Sequence, residues 1–132
     1  MDLFDSEIEK LANEVIGAAI EVHRHLRPGL PEVVYRRAMR VELKLRGISL
    51  EEEKEVEVDY KGEDVGKGRL DLFVGGRLVV ELKAVSAIAD VHIQQTVGYL
   101  NLVREPVGLV INFNVAILKN GGIRRVIRSE FQ

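Results

Sequence analysis

Parity constrains residues 69–85 (RLDLFVGGRLVVELKAV) more than any other stretch of this chain. Two short strands flank Gly75-Gly76. Leu70, Leu72 and Val74 on the first, with Leu78, Val80, Leu82 and Ala84 on the second, are apolar and even-numbered. Arg69, Asp71, Arg77, Glu81 and Lys83 are charged and odd-numbered. Successive side chains of a strand point to opposite faces, so parity here means facing. A two-residue turn would set the even residues of one strand beside the odd residues of the other. Only an odd-length loop keeps both apolar sets together, and a type I turn with Gly76 at the left-handed bulge position supplies one. The same register gathers Asp71, Glu81 and Lys83 on one face. Two carboxylates and an amine converging beside a buried sheet make a candidate metal site with a catalytic lysine.

The chain has 132 residues, which suits one domain over residues 1–132 that buries roughly two thirds of the surface its unfolded form exposes. No apolar run approaches the length of a membrane span, and the opening MDLFDSEIEK is acidic and amphipathic rather than a signal peptide. Cysteine is absent, which excludes disulfides, thiolate metal sites and cysteine nucleophiles. The cytoplasm is the expected location. A net charge of −2 argues against attraction to nucleic acid over the whole surface. The charge is uneven, however. Seven Arg or Lys face two acids between positions 23 and 46, and eight acids face two lysines between positions 50 and 64. Such asymmetry permits a basic patch, against the plainer reading of solvated helix and strand faces.

Ser6 and Glu9 have capping-box spacing and open a helix expected to run to about Leu26. Ile8, Leu11, Val15, Ala19 and Val22 recur at helical spacing and should face the core. Pro28-Gly29 breaks this helix. Pro31 suits the first turn of a second helix ending with Gly47 as its C′ residue. Its expected buried stripe is Val34, Ala38, Val41 and Leu45, with Arg37, Arg40 and Lys44 on another face. A short strand is expected at 48–50, and a strand with one solvated face around Val56, Val58 and Tyr60. Residues 61–64 (KGED) read as a turn before the 69–85 hairpin. Asp90 can cap a third helix to about Val103, and VGLVINF after Pro106 suits a central strand. Asn120-Gly121-Gly122 is a turn before a last strand at 123–127. The element order is α-α-β-β-β-α-β-β.

Asp71, Glu81 and Lys83 form the pattern D-x9-E-x-K. Hard divalent ions such as Mg²⁺ favour carboxylate oxygens, and a strand carbonyl can add a ligand. Glu81 and Lys83 point the same way, roughly 7 Å apart at the strand rise. A lysine so placed can orient an attacking water or help deprotonate it while the metal stabilises charge on a phosphoryl oxygen. The plainer alternative is a surface hairpin with cross-strand ion pairs. His92, Gln95 and Tyr99 share one face of the third helix and would look into the same cleft if that helix packs on the hairpin. Glu32 opens the second helix, where the helix dipole alone favours an acid by a few tenths to about 1 kcal/mol. In the functional reading it is an extra acid beside the metal. His23 and His25 diverge and are no metal pair; Asn112 and Asn114 serve a turn. No P-loop, dinucleotide fingerprint or Ser-His-Asp arrangement stands out.

GLPEVVY at residues 29–35 matches the signature of the small GxxExxY proteins, and the match continues through DLFV, VVELKAV, HIQQTVGYL, VGLVINF and GIRRVI. The chain therefore resembles that family, which is placed in the PD-(D/E)xK nuclease superfamily. The resemblance implies an α/β (α+β), restriction-endonuclease-like core, a central mixed sheet of four to five strands flanked by helices. It implies that Asp71 and Glu81 are the metal-binding acids, with the Leu82 carbonyl as a further ligand, and that Lys83 is the lysine of the ExK element. Gln95 and Tyr99 match the Gln-x-x-x-Tyr helix of the exonuclease-like branch, and Glu32 the acid on its leading helix. Leu70 stands where the superfamily's name has Pro, and the gap from Asp71 to Glu81 is short.

The expectation is a Mg²⁺- or Mn²⁺-dependent phosphodiesterase acting on DNA ahead of RNA, with Arg36, Arg37, Arg40, His92, Arg124 and Arg125 as substrate contacts. No membrane partner is expected, and so small a core leaves recognition to a homodimer or a partner protein. A second reading is a catalytically silent nucleic-acid-binding or regulatory module on the same fold. A third is a structural homodimer whose charges satisfy each other across an interface.

Overall fold

The computed structural model describes residues 6–128, so the reading of the first five residues lies outside it. In chain order the elements are α1 (Ser6–Leu26), α2 (Glu32–Leu45), β1 (Leu50–Tyr60), β2 (Glu63–Val74), β3 (Leu78–Lys83), α3 (Asp90–Val103), β4 (Val107–Asn112) and β5 (Ile123–Ile127). The five strands form one sheet in the order β1-β2-β3-β4-β5. Only the β3–β4 pair is parallel, with α3 as its crossover; the other neighbours are antiparallel. Among the described residues no helix is long and apolar enough to cross a membrane.

The hairpin register is the one parity demands. Leu72 pairs with Val80 and Val74 with Leu78, leaving the three-residue loop 75–77. The turn differs in type. Gly75 and Gly76 have φ of 62° and 69°, and the Arg77 N–H donates to the Val74 carbonyl at 3.1 Å. Two positive φ values are the sign pattern of type I′, not type I, and its twist matches that of the flanking strands. Two expected strands merge into β1, and β2 begins at Glu63, so Glu63 and Asp64 lie in the sheet rather than in the turn expected over 61–64. A tight turn at Lys61-Gly62 joins these strands into a long ribbon.

The sheet is covered on both faces. Ile8, Val15, Ala19 and Val22 of α1 and Tyr35, Met39 and Leu43 of α2 pack on Leu72, Val74, Leu78, Val80, Leu82, Leu109 and Ile111. On the other face Leu100 of α3 packs with Phe73, Val79, Val110 and Val126. Leu70 belongs to this second cluster, opposite to its expected side. The cause is a local break in the β1–β2 ladder. Pairing skips Glu53 opposite Asp71, and Glu53 has φ 49°. Leu50, before the break, packs on the α1–α2 side, whereas Val56, beyond it, packs on the α3 side.

The buried stripe of α2 is also rotated by one residue from the expected one. Tyr35, Met39 and Leu43 are fully buried, while Val41 and Leu45 are 53% and 77% exposed. Tyr35 fixes the rotation. Its ring stacks on Phe113 at 4.6 Å and 3°, and its hydroxyl donates to the Arg27 carbonyl and accepts the Leu30 N–H. At the other end of α2, Gly47 (φ 74°) is the C′ residue as expected. Its N–H donates to the Lys44 carbonyl, and that of Ile48 to the Leu43 carbonyl, which is the Schellman arrangement.

Candidate metal and phosphate site

Leu72↔Val80 is the last backbone pair between β2 and β3. One residue further on, side chains replace the ladder. The Asp71 N–H donates to Glu81 Oε2 at 2.9 Å, and the Leu82 N–H donates to Asp71 Oδ2 at 2.8 Å. Each acid therefore binds the backbone of the other's strand, which satisfies two donors that the splayed strands would otherwise bury unpaired. It also spends only one oxygen of each carboxylate on these bonds.

Glu81 is only 3% exposed. Burial, and then the charge of Asp71, push its carboxyl up to about 8. Burial likewise raises Asp71, against the Leu82 N–H and the cations of Lys83, Arg36 and Arg69. Glu32, the first residue of α2, is raised by burial and by Asp71, and lowered by Lys83, Arg36 and Arg69. Three acids from three elements thus share one electrostatic neighbourhood with Lys83, which is half-buried at the end of β3. Two crowded carboxylates that resist ionising together favour a divalent cation, which relieves their repulsion and prefers oxygen ligands. Among the described residues no three His, Cys, Asp or Glu side chains gather as a ready-made metal cage. The donor set here is a carboxylate pair, which backbone carbonyl oxygen and water can complete.

Helix α3 brings Tyr99 to the same place. Burial raises its hydroxyl, followed by the charges of Glu81 and Asp71, while the Arg69 N–H stabilises its oxygen. The Tyr99 ring lies directly on Gly68, where a Cβ would come within 2.9 Å of Cε1. Gln95, one turn earlier, is exposed. His92 has a different task. Its Nδ1 accepts the Ala89 N–H at 3.0 Å, so the imidazole caps α3 and Asp90 is the first helical residue, not the cap.

The basic residues divide. Arg36 pairs with Glu52 and Glu53 at 3.6 and 3.1 Å, and Arg40 with Glu52 at 2.9 Å. Arg125 reaches Glu9 of α1 at 2.6 Å. These three arginines, expected as substrate contacts, are occupied with acids of the protein itself. Arg37 and Arg124 are exposed and make no ion pair among the described residues. Arg69 was missed in the sequence as a member of the site, although it stands two residues before Asp71 on the same strand.

Around the site, His23 is buried at the end of α1, and its Nε2 lies 2.7 Å from the Val115 carbonyl oxygen. Asn112 is fully buried and clamps the segment after β3. Its Oδ1 accepts the Val85 N–H at 3.0 Å and the Asn114 N–H at 3.2 Å, and its Nδ2 donates to the Val85 carbonyl at 2.9 Å.

Residues 9–126 match the family model described as PD-(D/E)XK nuclease superfamily, and the chain belongs to that superfamily. Its mixed five-stranded sheet flanked by three helices fits the fold. Comparison with curated proteins and with solved structures gives no match. Members of the superfamily are usually metal-dependent nucleases, typically using divalent ions, and the family implies a nucleic-acid substrate.

Proposed function

We propose that this protein is a Mg²⁺- or Mn²⁺-dependent nuclease that hydrolyses phosphodiester bonds in DNA, with RNA as the alternative substrate, and that it falls in the GxxExxY group. The observation that carries the proposal is the interlock of Asp71 and Glu81, with Lys83 beyond them. One oxygen of each acid remains outside the interlock. Asp71 and Glu81, with the Leu82 carbonyl, would hold the ion. A divalent ion there supplies charge stabilisation at a phosphoryl oxygen.

The protein's own residues supply the remainder. Lys83 orients the attacking water by hydrogen bonding and adds positive charge beside the reacting phosphate. Tyr99 and Gln95 orient the phosphate or the lysine. Glu32 adds a third acid at the rim of the site, while Arg37 and Arg124 reach towards the backbone of the substrate. The GxxExxY residues have coherent roles in this reading. Gly29 (φ 108°) turns the chain into α2, Glu32 faces the acid pair, and Tyr35 locks the turn to Phe113.

The test is incubation of labelled single- and double-stranded DNA and RNA with EDTA, Mg²⁺ or Mn²⁺. The expected result is metal-dependent cleavage by the wild type and none by Glu81→Gln. Binding without cleavage of any of these forms would leave the silent binding module in its place.

A further inference from the structure

The site has two flanks of opposite charge. On the β2 side, the outer β1–β2 ribbon carries Glu55, Glu57, Asp59, Glu63 and Asp64 against Lys61 and Lys67, the latter paired with Glu55 at 2.7 Å, and this negative balance disfavours a polyanion there. On the β4 side, residues 113–119 lead away from the parallel ends of β3 and β4. This segment is fixed to the site and to α1 by a short series of contacts. The Phe113 N–H donates to the Lys83 carbonyl at 2.9 Å, Phe113 stacks on Tyr35, and the Val115 carbonyl meets His23.

A cleft of about 230 Å³ lies between this segment and the end of α1. Its lining includes Arg24, Arg27 and Lys119 around Ile20 and Ile117, and no acid. Arg27 and Lys119 have no acidic partner among the described residues, and Arg24 makes only an exposed 3.7 Å contact with Glu21. Such a contact is weak and easily exchanged for a phosphate. The helix dipole accounts for Arg24, in the last turn of α1. It does not account for Arg27, which lies beyond the helix, or for Lys119 on the opposite wall.

We infer that Arg24, Arg27 and Lys119 form a phosphate-binding cleft that carries the nucleic-acid backbone away from the reacting phosphate, on the side opposite the acidic ribbon. This rests on the nuclease reading and gives the substrate a direction across the site. Arg36 and Arg40 of α2 are neutralised by Glu52 and Glu53, which leaves Arg37 as the one arginine of that helix without an ion pair among the described residues, so α2 is not the principal track.

The test is fluorescence anisotropy of a labelled single-stranded DNA in EDTA across a salt series, which requires no cleavage. The variants are the wild type, a triple Arg24→Ala, Arg27→Gln, Lys119→Ala, and a Lys61→Ala, Lys67→Ala control on the ribbon. Each phosphate contact contributes about 0.7 to the slope of log affinity against log salt on a single strand. The triple variant should lose about 2 from that slope and bind roughly tenfold more weakly or worse at low salt. The control should match the wild type. With Mg²⁺, the triple variant should cleave with raised KM and little change in kcat.

A wild type that binds, beside a triple variant with unchanged slope, would overturn the cleft alone. Loss of binding in the ribbon control would also overturn it. A wild type that neither binds in EDTA nor cleaves with Mg²⁺ would overturn the cleft and the nuclease reading together, and one that cleaves with Mg²⁺ without binding in EDTA would overturn the cleft alone. Should the triple variant fail to fold, Lys119→Glu on the exposed loop replaces it with the same expected direction.

Discussion

Asp71 and Glu81 hold each other's strands: the Glu81 carboxylate takes the Asp71 N–H, and the Asp71 carboxylate takes the Leu82 N–H. The two acids are thus structural, whatever ion they are proposed to hold. They bridge the point where β2 and β3 leave the ladder, and they crowd negative charge into a buried place.

In the proposed reaction Lys83 positions the attacking water, and it makes no bond in the interlock. Lys83→Ala should lower cleavage by about 10²-fold or more, the range of a positioned proton-handling group. Its melting temperature and its response to Mn²⁺ should stay near those of the wild type. Lys83→Arg should not restore full activity, because a planar guanidinium presents its donors differently. Single-turnover cleavage at saturating metal reads this, and equal rates would remove the lysine from the mechanism.

The acid pair gives the metal-free protein a pH dependence of definite sign. Glu81 is raised from 4.5 to about 8 in the folded state, so the folded protein binds a proton that the unfolded chain has already lost. Its contribution to stability is complete below about pH 4.5 and disappears as pH rises through about 8. Thermal melting in EDTA should show stability falling across that window from this group. Glu81→Gln should flatten the fall, and a decline of the same steepness in that variant would place its origin elsewhere.

Much of this arrangement was legible in the sequence, and the exceptions have physical causes. Parity fixed the three-residue loop and the meeting of Asp71, Glu81 and Lys83, because a one-residue slip would have set the apolar residues of one strand beside the charged residues of the other. Leu70 escaped parity because the break opposite Glu53 turns the ribbon over, which alternation alone does not reveal. Phe73 and Val79 held the clue: both are apolar at odd positions, as a sheet covered on both faces requires. The stripe of α2 was misplaced by one residue because it was drawn through the aliphatic Val34, Ala38, Val41 and Leu45, whereas Tyr35, stacked on Phe113, is the anchor that sets the helix rotation. The capping of α3 by the His92 ring was not legible, because a histidine three residues beyond Ala89 gives no capping-box signal.

That anchor can be weighed. Tyr35→Phe keeps the stack but leaves the Arg27 carbonyl and Leu30 N–H without their partner, at a cost of about 1 kcal/mol. Tyr35→Ala also empties a fully buried site and should cost about 3–5 kcal/mol. Urea unfolding separates the two, and similar losses would mean that the ring contributes little.

Asn112 uses both ends of its amide on the segment after β3. Asn112→Ala should cost about 1–3 kcal/mol through unsatisfied Val85 groups. Asn112→Asp should be worse, since it turns an oxygen towards the Val85 carbonyl in a buried place. Chemical denaturation of both variants checks the order, and an aspartate variant as stable as the wild type would contradict it.

The most direct measurement is the shift in melting temperature caused by Mn²⁺ at neutral pH, in the wild type and in Asp71→Asn. A cation held by the acid pair predicts a clear rise in the wild type that grows with Mn²⁺ concentration, and little or none in the variant. An equal rise in both proteins, or no rise in the wild type, would contradict the assignment of Asp71 and Glu81 as a metal site.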